Sequence, residues 1–300
     1  MVLLYIPPVQ NLLRREVTAY ASKATGMQIQ VERIDLRFPL NLLVRGVEVI
    51  QQPDTLLSLE SLNVRVQAWP LLKGKVEVDE VTLSQVAVNS ANLIEGMQIK
   101  GVLGRFFLQS HGVDLSNETA VVNRTELSDT HIQLLMTDTT TTPKDTTASA
   151  PVNWKVNLHQ LKLKNVSFGM KLPADSMKMA AYIGEATIDD AKADLKNQFY
   201  GLKQFLLSGA SASYDTGEAQ PSEGFDASHM AVRNIRIGLD SLLYEGRNMN
   251  AVIREITMEE RSGLSITSLT GRLFSNDSII RIPELKLQTP HSEIDLSAQT

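Results

Sequence analysis

The 300-residue chain is 43% hydrophobic but only 5% aromatic, and its formal net charge is −5. Charges of both signs are interspersed along the chain. This argues against nucleic acid as a main partner, because proteins that bind nucleic acids usually carry a strongly basic surface. The chain has no cysteine, so disulfides and thiolate chemistry are excluded. The apolar content is mostly aliphatic, which favours strands lined with Val, Leu and Ile over an aromatic-rich active-site cleft.

The N-terminus carries a short apolar run, MVLLYI, followed by two prolines. The run is far shorter than the roughly 20 residues that a bilayer span needs, and it lacks the basic region of a signal peptide. One interpretation is that a membrane anchor has been removed just upstream. The other is an ordinary apolar N-terminus.

Residues Val9–Thr25 form a predicted amphipathic helix that ends at Gly26. Charged residues are predicted on one side, namely Arg14, Arg15, Glu16 and Lys23. The apolar residues of the other side recur at helical spacing: Val9, Leu12, Leu13, Val17, Tyr20 and Ala24. Such a helix either covers an open end of a β-sheet or lies on a membrane surface. The first alternative is favoured.

The segment Val76–Val88 contains the pattern that organises the rest of the chain. Its apolar residues fall at offsets 0, 2, 5, 7, 10 and 12, which form no stripe on a helix. On a strand, residues two apart share a face, and each step of three needs one extra residue. A β-bulge supplies that residue and bends the strand. The pattern therefore predicts long, kinked strands with one apolar face.

The same spacing returns along the chain without a fixed period, which indicates a loose structural repeat. It is complete at 156–168, and its first four positions recur at 230–237, 29–36, 57–64 and 280–287, with weaker copies at 186–193 and 205–212. Nearly all residues from Met27 onwards are therefore predicted to form strands. Shorter strands are predicted across 106–135.

Two stretches without this pattern interrupt the strands. Residues 138–151 are rich in Thr, and residues 214–228 are rich in Gly, Glu, Pro and Ser. Matching patterns on either side favour mobile insertions in one continuous sheet over domain boundaries, although separate domains stay open. The predicted organisation is a helical segment, residues 1–26, and a β-region, residues 27–300. The pattern continues to the C-terminus without a cap, which indicates a fragment of a longer protein.

A search for catalytic or metal-binding motifs finds none. The chain has no Gly-rich phosphate loop, no nucleophile elbow and no H-E-x-x-H. Its five histidines lie far apart, and His159 and His229 are predicted to be surface residues. Neighbours on a strand point to opposite faces, so Asp189-Asp190 and Glu259-Glu260 form no acid–base dyad. We predict a protein that is not an enzyme and needs no cofactor or metal.

The apolar face is the remaining candidate for a functional surface. Periodicity alone favours its burial against a second sheet. The alternative is a curled sheet with an open trough, which would suit acyl chains because they need a dry aliphatic wall with few polar anchors. The candidate wall residues are Val76, Val78, Val81, Leu83, Val156, Leu158, Leu161, Leu163, Val232, Ile235 and Ile237.

The first part of the chain resembles a known family. The helix that ends at Gly26, the segments VERIDLRF and LLVRGVEV, and the segment LLKGKVEVDEVTL resemble the N-terminal region of AsmA-like proteins. Within that family they resemble the TamB-like translocation and assembly module proteins. The resemblance covers about residues 6–90, and only the strand pattern continues beyond.

The resemblance implies a periplasmic protein anchored to the inner membrane and built as an elongated, curled, antiparallel β-groove. It further implies conduction of phospholipid between the inner and outer membranes. The alternative is outer-membrane protein assembly, with a β-barrel partner bound through a C-terminal region absent here and with client strands received at sheet edges. A third interpretation, an adhesin-like β-sandwich, requires two packed faces. About 14 strands spaced about 4.8 Å apart would form a rod of roughly 65 Å.

Overall fold

The computed structural model describes residues 7–67, 77–91, 93–114, 117–136, 153–217 and 220–299. One helix precedes a single 14-stranded sheet whose spatial order follows the order along the chain. The helix is α1 (Pro7–Thr25), and the strands are β1 (Gln28–Arg37), β2 (Asn41–Gln51), β3 (Asp54–Val66), β4 (Val78–Asn89), β5 (Met97–Asp114), β6 (Thr119–Met136), β7 (Lys155–Leu172), β8 (Met177–Asp194), β9 (Phe199–Asp215), β10 (His229–Glu245), β11 (Asn248–Glu260), β12 (Ser265–Ser275), β13 (Ile280–Gln288) and β14 (Glu293–Gln299). The predicted fold class, a mainly β, open and curled sheet with an N-terminal helix, is confirmed.

One strand pair departs from the antiparallel arrangement. β7 lies parallel to β6, with Thr119 opposite Lys155 and Leu135 opposite Lys171. Parallel neighbours need a connection that returns the chain to the same end of the sheet. Residues 137–152, which contain the predicted Thr-rich insertion, lie outside the described part of the chain. The second predicted insertion connects β9 to β10, which are neighbours in the sheet.

The prediction of short strands across residues 106–135 is wrong. β5 and β6 each extend over 18 residues. Their alternation is masked in the sequence because Phe107 lies on the polar face, opposite Thr82 and Glu126. Conversely, Thr125 lies among apolar residues, opposite Leu108.

Helix α1 covers the edge of the sheet at β1, as predicted. Gln10 Nε2 donates to the carbonyl oxygen of Leu36 at 2.9 Å, and the N–H of Ile29 donates to Ser22 Oγ at 3.1 Å. These hydrogen bonds satisfy backbone groups at the edge of β1. Without them, the same groups could pair with an additional strand. The helix therefore protects this edge from pairing.

The surface of α1 differs from the predicted apolar stripe. Leu12 and Tyr20, both expected on that stripe, are 55% and 77% exposed. The polar face contributes to the contact instead, since Arg14 donates to the carbonyl oxygen of Glu32 at 2.6 Å. An edge strand presents backbone polar groups, and polar side chains bind these better than apolar ones do.

The extra residues predicted from the apolar spacing are present, and they line up across the sheet. In each of ten consecutive strands, one residue is left out of the ladder while its flanking residues remain paired. A single β-bulge places two residues opposite one, but here each neighbouring strand also carries an extra residue. The register is thereby unchanged across these positions from β1 to β9, and the shifts in register between these strands lie elsewhere. The strands therefore bend together. We name these residues the kink row: Glu32, Gly46, Glu60, Gln85, Gly104, Asp129, Asn165, Gly184, Gly209 and Asn234.

Backbone conformation explains the residue types in the kink row. Six of its members have a positive φ, between 49° and 62°, a region that Gly, Asn and Asp adopt most readily. Two other members are glycines because the strands approach too closely for a side chain. A Cβ on Gly104 would lie 2.7 Å from Asp129 Cβ, and one on Gly184 would lie 2.9 Å from the carbonyl oxygen of Gly209.

A second set of unpaired residues crosses β6–β10 and carries interacting polar side chains. In this set His159 Nδ1 lies 3.1 Å from Asp190 Oδ1, and Lys203 Nζ lies 3.8 Å from Asp190 Oδ2. The hydrogen bond with His159 lowers the pKa of Asp190. Asp189 has a different partner, since it accepts a hydrogen bond from Gln160 at 3.2 Å. The two adjacent carboxylates therefore do not act as a pair.

His229 is buried, which contradicts its predicted place on the surface. It is 7% exposed, and its Nδ1 lies 3.0 Å from Asp226 Oδ2. The alternation of β10 could not show this, because Asp226 lies in the connection before the strand. The backbone N–H groups of Ser222 and Ser228 also donate to this carboxylate. The hydrogen bonds from these two N–H groups, and to a smaller extent the one with His229, hold the pKa of Asp226 well below its usual range.

We expect the connection before β10 to be weakened by acid, because Asp226 accepts these hydrogen bonds as a carboxylate. A carboxyl group with a lower pKa in the folded state stabilises that state above its unfolded pKa of about 3.9, and this contribution decreases as the pH falls below that value. Asp226→Asn should therefore increase hydrogen exchange of residues 220–230 at neutral pH. The difference from the unsubstituted protein should narrow steadily in acid. Equal exchange in the two proteins at neutral pH would contradict this prediction.

Candidate apolar binding face

The apolar face is built from cross-strand pairs that continue over the whole sheet. One row of directly paired residues takes a single apolar residue from each of the 14 strands. This central row consists of Ile34, Val44, Leu62, Leu83, Phe106, Leu127, Leu163, Ala186, Leu207, Ile237, Ile256, Leu269, Leu287 and Ile294. At about 4.8 Å per strand, it forms an unbroken apolar path of roughly 60 Å.

A second row lies two or three residues along each strand on the same face. It consists of Leu36, Leu42, Val64, Val81, Leu108, Thr125, Leu161, Ile188, Phe205, Leu239, Ile253, Gly271, Leu285 and Leu296. Only Thr125 and Gly271 interrupt its apolar side chains. Directly paired residues have Cβ atoms about 4.5–5.5 Å apart, so the two rows form a continuous band.

The opposite face of the sheet is polar. One of its paired rows runs from β1 to β9 and contains Arg33, Arg45, Ser61, Ser84, Arg105, Ser128, Lys164, Glu185 and Ser208. The sheet is therefore amphipathic, as the apolar spacing predicts. Water can solvate the polar face, whereas the apolar face gains from any contact that excludes water.

No second layer covers the apolar face within the described ranges. Each strand packs mainly against its neighbours in the sheet, and α1 packs against β1. Periodicity alone favoured burial under a second sheet, and this expectation is wrong. Among the described residues no side chain is fully enclosed, and the buried apolar residues are few and mostly alanines: Leu56, Leu59, Ala120, Ala186, Ala210 and Ala251.

The structure places the described candidate wall residues on this face, and all of them are half-buried. Leu83, Leu163 and Ile237 belong to the central row, and Val81 and Leu161 belong to the second row. The others extend the face along the strands in both directions: Val78, Val156, Leu158, Val232 and Ile235. Val76 lies outside the described residues.

Sequence reasoning did not find the apolar pattern in several strands that contribute to the central row. Two of them carry the same spacing and could have been found, at Leu42/Val44/Val47/Val49 and at Ala251/Ile253/Ile256/Met258. Phe106 and Leu127 were hidden for another reason. In these two strands some apolar positions of the repeated spacing are occupied by Gly101 and by threonines. These residues lie on the apolar face, but they interrupt the aliphatic pattern in the sequence.

The face offers no directed polar chemistry of its own. No group of three His, Asp or Glu side chains that could hold a metal ion occurs in the described part of the chain. None of the described helices is long and apolar enough to cross a membrane. What the face provides is a large aliphatic contact area, and apolar patches beyond a few hundred Å² usually mark binding surfaces.

Comparison with known proteins leaves the family open. No family model matches the chain, and no curated protein matches it either. The resemblance to AsmA-like proteins therefore stays a prediction. The functional argument depends on the geometry of the apolar face.

Proposed function

We propose that the apolar face binds the acyl chains of phospholipids and conducts them across the sheet. The observation that carries this proposal is the central row, which continues through all 14 strands and which no described element covers. Removing apolar surface from water contributes a favourable free energy of about 25 cal/mol per Å². An occupant that excludes water from the row is therefore stabilised in proportion to the area it covers.

Acyl chains suit this surface because the central row contains no polar side chain and the second row contains only the hydroxyl of Thr125. The tails would lie against the central and second rows. The charged headgroup would stay at the side of the band, since burying an unpaired charge is costly. The protein would act passively, without a catalytic residue or cofactor.

The uniformity of the central row favours movement over fixed binding. Successive positions are similar aliphatic or aromatic side chains about 4.8 Å apart. A bound chain that moves by one strand exchanges one apolar contact for an equivalent one, so no position forms a deep trap. The resemblance to AsmA-like proteins would place this activity in the periplasm, where it would serve outer-membrane biogenesis.

A second candidate function is favoured by β14. All of its residues are exposed, and no described strand pairs with its outer edge. The edge at β1 is different, because α1 covers it. An open edge can accept an added strand. A chaperone-like scaffold that receives client strands, including those of a β-barrel partner, would use this edge.

Site-specific photocrosslinking in cells tests the lipid proposal against the second function. With the crosslinker at Val81 or Leu161, we expect phospholipid adducts at least roughly tenfold more abundant than at Lys162, because apolar tails prefer the apolar face by this margin or more. Lys162 is a matched control, since it lies on the polar face of the same strand as Leu161. Polypeptide adducts at Asp295 on β14, with no lipid at Leu161, would overturn the lipid proposal and favour the strand-receiving role.

A further inference from the structure

A cavity of about 1040 Å³ opens at one end of strands β5–β11. Its lining contains runs of consecutive residues, so both faces of some strands contribute atoms. In β5, however, the lining residues are Gln98 and Lys100, which belong to the polar face and pair with Leu135 and Gln133, and the apolar-face residues Ile99 and Gly101 are not among them. The cavity therefore lies on the polar face. Most residues of its floor are small, which creates the depression: Ser167, Gly169, Ala180, Ser211, Ser213 and Ala231.

Unpaired cations surround the cavity in a chain whose net charge is −5. Lys100, Lys171, Lys178 and Arg261 all line it. None of the four forms an ion pair with a residue in the described ranges. On a surface with interspersed charges, some of these cations would usually form ion pairs with neighbouring carboxylates. Their concentration around one cavity gives this site a positive potential.

The lining contains one further cation, which forms an ion pair, and two carboxylates. Arg233 pairs with Glu259 at 3.0 Å. Glu260 accepts a hydrogen bond from the N–H of Ser262 at 2.6 Å. Asp215 is the other carboxylate of the lining. The two carboxylates do not balance the cations, so the cavity keeps an excess of positive charge.

Two of the cations oppose each other directly. Lys171 and Lys178 are paired residues of β7 and β8. Like charges at directly opposed positions of a sheet are destabilising. Lys178 is also paired with Asp215 of β9, which offsets part of the repulsion. Lys171 is paired on its other side with Leu135 and has no such carboxylate. A bound anion between the two ammonium groups would relieve the repulsion that remains.

Neutral donors complete the site on the side of β6. The Gln133 amide nitrogen lies 2.8 Å from His131 Nε2, and His131 Nδ1 lies 2.6 Å from Ser167 Oγ. The three side chains form one hydrogen-bonded group in the wall of the cavity. Their amide and hydroxyl groups can donate to a bound ligand.

We propose that this cavity binds a phosphate-bearing ligand with at least two anionic groups. The volume is at the upper end of the range for ligand pockets and exceeds the needs of a single phosphate. Lysines and arginines at separate parts of the wall would each take one anionic group, and floor hydroxyls would donate further hydrogen bonds. The ligand is either a soluble phosphorylated compound or the headgroup of an anionic lipid. The inference is independent of the proposed function, because the cations of the cavity lie on the polar face, although Val232 contributes both to the cavity and to the apolar face.

Binding of two probes tests the proposal and separates the two sources. Pyrophosphate, followed by calorimetry at physiological salt, represents a soluble ligand, and phosphatidylcholine vesicles containing phosphatidylglycerol, followed by co-sedimentation, represent a membrane. We expect one of these probes to bind. The double variant Lys171→Gln/Lys178→Gln should weaken that binding by roughly tenfold or more, because two charge-assisted contacts are lost. Lys162→Gln/Lys164→Gln, on the same face of β7 but outside the cavity, should change it by less than about twofold.

A stability measurement excludes a merely structural role for the two lysines. Without ligand, the single variant Lys171→Gln should unfold at the same or a higher temperature than the unsubstituted protein, because it removes the repulsion between Lys171 and Lys178 and keeps the pairing of Lys178 with Asp215. Binding of pyrophosphate assigns the site to soluble ligands, and binding of vesicles alone assigns it to lipid headgroups. The proposal is overturned if neither probe binds, if both double variants lose binding equally, or if Lys171→Gln destabilises the protein.

Discussion

Leu163→Asp should remove bound phospholipid from the purified protein while the sheet stays folded. Leu163 is half-buried in the central row, between Leu127 and Ala186. A carboxylate there has no polar partner on the face, so an acyl chain that covers it must desolvate a charge. That cost is on the order of several kcal/mol, which corresponds to a loss in affinity of more than about a hundredfold. Native mass spectrometry measures the lipid that copurifies.

Two further variants give this experiment its controls. Lys164→Asp changes the next residue to the same carboxylate on the polar face, and we expect it to retain lipid. Leu163→Ala shortens the side chain but keeps the row apolar, so it should retain most of the lipid as well. Equal lipid content in the Leu163→Asp and Lys164→Asp proteins, both folded by circular dichroism, would show that the apolar face does not carry the lipid.

Gly184→Ala should destabilise the sheet by about 1–3 kcal/mol. A Cβ at this position would lie 2.9 Å from the carbonyl oxygen of Gly209 and 3.1 Å from that of Ser208. Both are backbone atoms, so the contact is relieved only by moving β9 away from β8. Such a movement disturbs the kink row, at which neighbouring strands bend in register. A shift of the urea denaturation midpoint to lower concentration measures the effect.

Gly169→Ala is the matched control for the kink row. Gly169 lies in β7 outside the kink row, and an added Cβ would meet its nearest neighbours at ordinary distances of 3.9 Å and 4.0 Å. We expect a change of about 0.5 kcal/mol or less, and a small gain in stability is compatible with the reduced freedom of the unfolded chain. If both alanine variants shift the midpoint equally, close approach at the kink row does not limit stability.

The bends of the strands could be predicted because apolar spacing is a local property. In β7 the steps from Leu158 to Leu161 and from Leu163 to Val166 each span three residues. The structure leaves His159 and Asn165 out of the ladder within these steps. A strand that keeps one face apolar across a step of three must accommodate an extra residue, whatever its neighbours are. In six of the ten strands the kink-row residue directly precedes the third position of the pattern, has a positive φ and, apart from Gln85, is Gly, Asn or Asp. Those residue types are a further signal in the sequence.

The amphipathic character of the strands, the helix at the N-terminus and the lack of catalytic motifs were determined by the sequence itself, since each follows from the order of residues within one segment. Four features were decided by the tertiary structure. The extra residues align across ten strands, and β6 and β7 are parallel. Asp226 contacts the buried His229, and no described element covers the central row. Each of these depends on which distant segments meet. Periodicity specifies which side of a strand is apolar, but pairing between strands decides what that side faces.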